Sequence, residues 1–339
     1  MMRAAVLDDH GFTVRDAPEP AAPGPGEALV APVRVGICGS DAHFVIDGSA
    51  KTDYRPIVLG HEAAGEVVAL GPDTDGPAPG TRVALIPLVT CQECDRCLAG
   101  RSVLCLQRQC LGAEREGAFA ERILLPARNL VPIPDGLSWE LAAVATDSVA
   151  TAYHAVVARG GAREGSRVVV WGTGGLGLSA VGIAKAVGAA EVVAVDLRED
   201  AREWALETGA DAAYHPDEAL ERIGGRMDVA LEFVGRSSTV EGAVRSLDDG
   251  GRAVVVGIGH EPAAAGRLIT FVMRERELVG SYGNEPEEVG AVLELMASGK
   301  LVLPRVVGDV IPLADVAAGV ERVHRGQTGG SRIVVDITA

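Results

Sequence analysis

Aromatic side chains are scarce in this chain: five Phe, four Tyr and three Trp make up 4% of 339 residues. Val, Leu, Ile and Ala must therefore fill its cores. Basic residues are also few. With 31 Lys and Arg against 47 Asp and Glu, the formal net charge is −16. Such a surface repels phosphate backbones and anionic lipid, so neither nucleic acid nor a membrane is an expected partner. No apolar stretch is read as approaching the ~20 residues that cross a bilayer. The first ten residues, Met1–His10, lack a basic segment followed by an apolar run, so no secretory signal is predicted and a cytoplasmic location is expected. Cysteine is limited to six residues, yet Cys91, Cys94, Cys97 and Cys105 crowd into one short segment. In a cytosolic chain such a cluster points to a metal rather than to disulfides.

What is present argues for a folded chain. The composition is 47% hydrophobic and 23% charged, enough to bury sizeable cores. The 43 Gly and 18 Pro imply many turns. At ~150 residues per domain the length suggests two domains.

From Met1 to about Val131 short β-branched runs (Ala28–Val35, Ala64–Leu70, Arg82–Ile86) are punctuated by Gly and Pro. Helical character begins at Ser138, a predicted N-cap before an Ala-rich run. From Gly165 strands and helices alternate: strand 167–171, helix 177–187, strand 192–195, helix 200–207, strands 229–233 and 253–257. Alternation of this kind predicts a parallel sheet with crossover helices, an α/β class. One more helix, 286–298, and a strand-like tail, 333–337, complete the reading. The alternating part is thus expected to be inserted between two pieces of the β-rich part.

The strand Arg167–Trp171 runs into Gly172-Thr173-Gly174-Gly175-Leu176-Gly177 and then a helix. This is a G-x-G-x-x-G in the context that a dinucleotide fingerprint requires. Gly172 permits the tight turn, Gly174 lets the backbone approach a pyrophosphate at the helix N-terminus, and Gly177 lets helix and strand pack closely. The next strand ends in Asp196, 24 residues after Gly172. A carboxylate there accepts bonds from the adenosine ribose hydroxyls and repels a 2′-phosphate, which favours NAD. Arg198 is a counter-signal, because a nearby arginine accommodates that phosphate.

Cys91-x-x-Cys94-x-x-Cys97, followed by Cys105, offers four thiolates to one tetrahedral ion. A closed four-sulfur shell predicts a structural zinc, with an iron–sulfur cluster as the alternative occupant. Cys110 lies outside the spacing and reads as a small buried hydrophobe. Two further polar groups lie elsewhere: Cys38 within Gly36-Ile37-Cys38-Gly39-Ser40-Asp41, and His61-Glu62 after Gly60. Read singly, each is an ordinary core or turn residue, and nothing in the spacing shows that they meet.

Taken in order, these segments resemble the zinc-containing medium-chain alcohol dehydrogenases over essentially the whole length of the chain. In pattern the chain is similar to bacterial NAD-dependent secondary-alcohol dehydrogenases. The resemblance implies a GroES-like β-rich catalytic domain (1–148 and 282–339, with a structural-zinc lobe at about 88–110) and a Rossmann, doubly wound parallel-sheet NAD domain (149–281). It implies two zinc ions per subunit. Cys38, His61 and Asp147, the last within Ala145-Thr146-Asp147-Ser148, would hold the catalytic ion, and Glu62 can approach or enter its shell. Three ligands leave a fourth position for substrate, and Asp41 is placed to orient His61.

The implied reaction is reversible hydride transfer between an alcohol, expected to be secondary, and NAD, giving a ketone or aldehyde. Zinc would act as a Lewis acid, and the proton would pass from Ser40 by way of the cofactor ribose to His43. Thr151 and the Val256-Gly257-Ile258 wall would meet the nicotinamide. Val234 would lie beside the adenosine, and Arg332 would bind the pyrophosphate. Gly39 departs from relatives that place a phosphate-binding arginine there.

A polyol or sugar-alcohol dehydrogenase on the same scaffold is the second reading. It would need polar side chains near the zinc, whereas Phe44, Ile46, Leu88 and Val89 suggest an apolar pocket. A non-catalytic NADH-binding relative is the third. A homodimer or homotetramer is expected, joined through sheet edges near Leu278–Ser281.

Overall fold

A strand buried on alternate residues organises the β-rich part. Glu27–Gly36 turns Ala28 and Val30 inward, as period-two patterning requires. It pairs antiparallel with Glu62–Leu70, Ile123–Pro126 and Arg332–Asp336. A computed structural model describes all 339 residues. In it the sheet runs Leu130–Pro132, Arg82–Leu85, Glu62–Leu70, Glu27–Gly36, Arg332–Asp336, Val307–Pro312. A three-stranded sheet, Gly11–Ala17, Met2–Asp8 and Ile57–Val58, closes over its inner face. Phe119, Ile37, Leu59 and Leu85 are fully buried between them.

The second sheet is entirely parallel. Its spatial order is Ala212–Tyr214, Glu191–Val195, Arg167–Trp171, Met227–Glu232, Leu247–Val255, Glu277–Gly280. In chain order this is 3-2-1-4-5-6, the doubly wound arrangement expected from the alternation. Val168, Val169 and Val170 are consecutive and all fully buried, because helices cover both faces. The topological switch lies between Arg167–Trp171 and Met227–Glu232. The crevice beyond their carboxyl ends is where such sheets bind ligands.

Between the sheets runs a single apolar helix, Trp139–Arg159, 21 residues long. Ser138 Oγ accepts from Leu141 N–H at 3.2 Å, as a cap should, and Arg82 stacks 4.3 Å from the Trp139 ring centroid. The expectation that no apolar segment reaches membrane-spanning length is corrected here. The length is reached, but 72% of the apolar window is buried inside the protein. The helix joins Ala64 and Ala84 of the antiparallel sheet to Val168 and Leu231 of the parallel one, and to Ile183 of the helix Gly175–Ala186, in one core. It is largely apolar because it is enclosed. Two of its stretches, Ala145–Val149 and His154–Arg159, are wound as π-helix.

Candidate active site

Four thiols converge in the lobe that follows the strand Leu88–Val89. Cys91 Sγ is 3.9 Å from Cys97 Sγ and 3.5 Å from Cys105 Sγ, and Cys94 Sγ is 3.6 Å from Cys97 Sγ. These separations exceed a disulfide bond of about 2.05 Å. They match the ~3.8 Å edge of a tetrahedron with ~2.3 Å zinc–sulfur bonds. Backbone N–H groups of Cys94, Cys91 and Gln107 point at the sulfurs of Cys91, Cys105 and Cys105, at 3.4, 3.5 and 3.3 Å. Such donors favour thiolates. The Cys97 N–H draws the Cys94 thiol below its ordinary value, whereas burial pushes Cys97 above it.

The dispersed residues also meet. Cys38 Sγ lies 3.6 Å from Asp147 Oδ2, and His61 Nε2 lies 3.8 Å from the same oxygen. With Glu62, all the donor atoms fall within 4.8 Å of one another. Cys38 ends the approach of strand Glu27–Gly36, and His61 precedes strand Glu62–Leu70. Asp147 projects from the first π-wound stretch of the long helix. The two separations are too long for strong hydrogen bonds. They equal the ~3.4–3.8 Å ligand–ligand distances of tetrahedral zinc. A thiol, an imidazole and a carboxylate so arranged fit that ion.

The supporting side chains differ in part from expectation. Asp41 Oδ1 stands 3.8 Å from His61 Nδ1, an ion pair rather than a hydrogen bond. The other Asp41 oxygen accepts from Cys38 N–H at 2.9 Å, so Asp41 orients the cysteine segment directly and His61 only by charge. Burial pushes the Asp41 carboxyl up, opposed by His61. Burial disfavours a charge on His61, yet Asp41, Asp147 and Glu62 outweigh it and raise its pKa. Burial likewise opposes the Asp147 charge, but His61 and Arg332 hold its carboxyl below the usual range. Thr151 Oγ1 donates to Asp147 Oδ1 at 3.1 Å. Ser40 Oγ is 3.5 Å from His61 Nε2, on the side where the donors converge.

The His43 side chain makes no hydrogen bond to the Ser40 hydroxyl. It lies on an exposed π-wound turn, where its Nδ1 is 2.8 Å from Asp47 Oδ2 and 3.0 Å from Ser49 Oγ. Cys110 is half-buried rather than buried. Burial raises its thiol, and the charges of Asp147, Asp41 and Cys38 add to the effect, so it neighbours the site. Of the expected apolar lining, Leu88 and Val89 are core residues, Phe44 packs on the core, and Ile46 is exposed.

Arg332 holds a position the sequence did not suggest. Its side chain is only 11% exposed, with Nη2 2.9 Å from Glu62 Oε1 and Nε donating to Oε2 at 3.1 Å. Nη2 also reaches Cys38 Sγ at 3.7 Å. Nη1 faces the glycine-rich turn, where a Cβ on Gly175 would sit 3.5 Å from it. The residue is thus both beside the turn and beside the donor set. Neither Glu62 nor Arg332 carries a local signal of this pairing, because 270 residues separate them.

The glycine-rich turn has the form expected. Gly172 has φ +86°, a conformation that glycine adopts without strain. A Cβ on Gly177 would lie 1.9 Å from Gly172 O, so helix Gly175–Ala186 approaches the strand as only glycine permits. Gly174 is the N-cap and Leu176 lies in the first turn. Asp196 Oδ2 accepts from Thr173 N–H at 2.8 Å and Oδ1 accepts from Arg198 N–H at 2.9 Å. Its carboxylate is fixed at the strand end beside the turn. Val234 and Ile258 are 41% and 86% exposed at the crevice mouth, with Val256 half-buried behind them.

Comparison with known proteins bears on all of this. Residues 24–135 match the alcohol dehydrogenase GroES-like domain, and residues 175–298 match the zinc-binding dehydrogenase family. The chain is 32% identical over 351 residues to the L-threonine 3-dehydrogenase of Streptomyces coelicolor, covering 100% of both chains. It is 32% identical to an alcohol dehydrogenase of Geobacillus stearothermophilus, across 99% of this chain and 100% of the relative. The crystal structure of a zinc-binding dehydrogenase from Sinorhizobium meliloti 1021 bound to NADP superposes with a TM-score of 0.89 at 30% identity, covering 99% of each chain.

Proposed function

The chain belongs to the zinc-containing medium-chain alcohol dehydrogenase family, and from that premise we propose that it interconverts a secondary alcohol and a ketone with NAD. The observation that carries this reading is the convergence of Cys38, His61 and Asp147 at the edge of the crevice, with Thr151 bonded to Asp147. Similarity to an L-threonine 3-dehydrogenase and to an alcohol dehydrogenase alike supports hydroxyl oxidation as the shared chemistry.

Cys38, His61 and Asp147 would hold the catalytic ion, with Glu62 at the margin of the donor set. The four lobe cysteines would hold the structural one. When bound, the catalytic zinc supplies a Lewis acid and the nicotinamide a hydride acceptor. The chain's own groups do the rest. Ser40 Oγ, beside His61 Nε2, is placed to accept a hydrogen bond from the substrate hydroxyl. His43 Nδ1, set against Asp47 at an exposed turn, is the group from which a proton reaches water. Thr151 Oγ1 keeps Asp147 Oδ1 occupied and leaves Oδ2 toward Cys38 and His61. Buried Asp41 and Arg332 fix the Cys38 segment from two sides.

NAD rather than NADP is supported by Asp196, whose fixed carboxylate stands where a 2′-phosphate would be repelled. A dimer or tetramer is supported by Glu277–Gly280, which ends the parallel sheet as an unpaired edge; light scattering would settle the stoichiometry.

The test is a panel of secondary alcohols, primary alcohols, polyols and L-threonine with NAD and with NADP, before and after chelation. We expect secondary hydroxyls to reduce NAD fastest, loss of turnover on chelation, and recovery with zinc. A zinc-replete protein that oxidises no alcohol with either cofactor would overturn the proposal.

A further inference from the structure

The five residues that follow the last parallel strand connect the two candidate metal centres. Asn284 is buried, 3% exposed, and its Nδ2 donates to Thr146 O at 3.1 Å. That carbonyl is the one released by the π-winding. In an α-helix it would take the Ala150 N–H, but Ala150 N–H bonds the carbonyls of Ala145 and Asp147 instead. Asn284 therefore supplies a donor at the residue immediately before the proposed ligand Asp147.

Glu285, next in the chain, faces the other way. Its carboxylate accepts from Ser102 N–H at 2.8 Å, from Val103 N–H at 3.3 Å and from Ser102 Oγ. Ser102 and Val103 lie inside the cysteine lobe, between Cys97 and Cys105. Glu285 N–H is itself bonded by Glu288 Oε2 at 2.7 Å, closing a capping box on helix Pro286–Ala297. Glu288 Oε2 also lies 2.9 Å from His154 Nδ1, two turns along the helix that carries Asp147. Asn284 thus grips that helix at Thr146 and Glu288 grips it at His154, on either side of Asp147, while Glu285 grips the lobe between its thiols.

We propose that Asn284 and Glu285 are positioning residues that couple the four-cysteine lobe to Asp147. A metal-filled lobe gives Glu285 a rigid anchor, and Asn284 passes that rigidity to the π-wound turn. Groups that orient metal ligands typically alter affinity by about 10–100-fold when removed. The proposal rests on the assignment of Cys38, His61 and Asp147 as a metal site made above.

The experiment uses the full chain with zinc retained in the lobe and the open site emptied with a chelator and refilled with cobalt(II). The visible spectrum and the cobalt affinity are then read without turnover. Glu285→Ala touches none of the three donors. We expect it nevertheless to shift the cobalt bands and weaken cobalt binding by about tenfold, with one zinc per chain still in the lobe. Asn284→Leu, of similar volume, should do the same, and the double variant should fall short of the product of the two, since both break one link. If Glu285→Ala does not fold, Ser102→Ala removes only the hydroxyl contact and should give the same change in smaller degree. A wild-type spectrum and affinity in Glu285→Ala or Ser102→Ala would overturn the coupling, even if Asn284→Leu perturbs the site locally. Failure of the functional reading would look different: wild type would bind cobalt normally and oxidise no alcohol.

Discussion

Arg332 Nη2 stands 2.9 Å from Glu62 Oε1 and 3.7 Å from Cys38 Sγ, so a guanidinium from the last strand closes the wall behind the proposed catalytic metal. Glu62 is fully buried. Burial drives its carboxyl well above the usual range, Cys38 and Asp147 add to the rise, and Arg332 opposes it without cancelling it. Burial also weighs against the Arg332 charge, which Glu62, Cys38 and Asp147 restore and strengthen. The Arg332 charge is thus held by the acidic groups gathered around it.

Arg332→Leu should therefore cost up to about 3–5 kcal/mol of stability, because it leaves the buried Glu62 carboxyl without its partner. Adding Glu62→Gln to it should recover part of that loss. Chemical denaturation of the wild type and the three variants tests this. A single variant as stable as wild type would show that the pair carries no such burden.

Gly39 opens the short helix Gly39–Ala42, and a Cβ built there meets nothing within 4 Å. The first atom of a side chain therefore enters open space there. A charge-assisted bond to the cofactor phosphates is worth about 1.5–3 kcal/mol, so Gly39→Arg should slow NADH dissociation by tenfold or more. Stopped-flow release rates decide it, and an unchanged or faster rate counts against the assignment of this face to the pyrophosphate.

Asp196 is bonded by Thr173 N–H and Arg198 N–H, and Arg198 Nε lies 4.0 Å from its carboxylate. Asp196→Ser removes the repulsion of a 2′-phosphate and frees the arginine. The ratio of kcat/KM for NADP over NAD should rise at least tenfold, equivalent to about 1.4 kcal/mol. A ratio that stays at the wild-type value would remove Asp196 from the selectivity argument.

Asp228 accepts from Arg167 Nη2 at 2.6 Å and from Arg167 N–H at 2.7 Å. The Arg167 guanidinium holds its carboxyl below the ordinary value. A depressed carboxyl stabilises the fold above its unfolded pKa of about 3.9, and the benefit disappears as pH falls through the folded value. Because the pair is partly exposed, its worth is under about 1 kcal/mol. The melting-temperature gap between wild type and Asp228→Asn should be constant from pH 7 to pH 5 and close below about pH 3.9. A gap that widens on acidification would contradict this sign.

Contiguous features were legible in the sequence, and convergent ones were not. The glycine-rich turn and the cysteine lobe each lie within one short segment, so spacing alone carried their chemistry. Cys38, His61 and Asp147 were reached only through resemblance, because 109 residues separate the first from the last. The strand Val307–Pro312 escaped notice because none of its residues is fully buried and it includes Gly308 and Asp309, leaving no apolar alternation to read. Helix Val316–His324 was also missed. The long helix was underestimated because its apolar run is broken by Asp147, Ser148 and His154, polar groups that the site and its supports absorb. No sequence period distinguishes α from π winding, so the turn that aims Asp147 was invisible. Asn284 and Glu285 are ordinary turn and cap residues until their partners are seen.

Helix Trp139–Arg159 carries Asp147 near its middle and packs its far end on Gly175–Ala186. Inserting or deleting one residue between those points would swing everything downstream by about 100° around the axis, dragging the carboxylate out of reach or the nucleotide cleft out of register. Between those two points the residue count of this rod is a fixed gauge length.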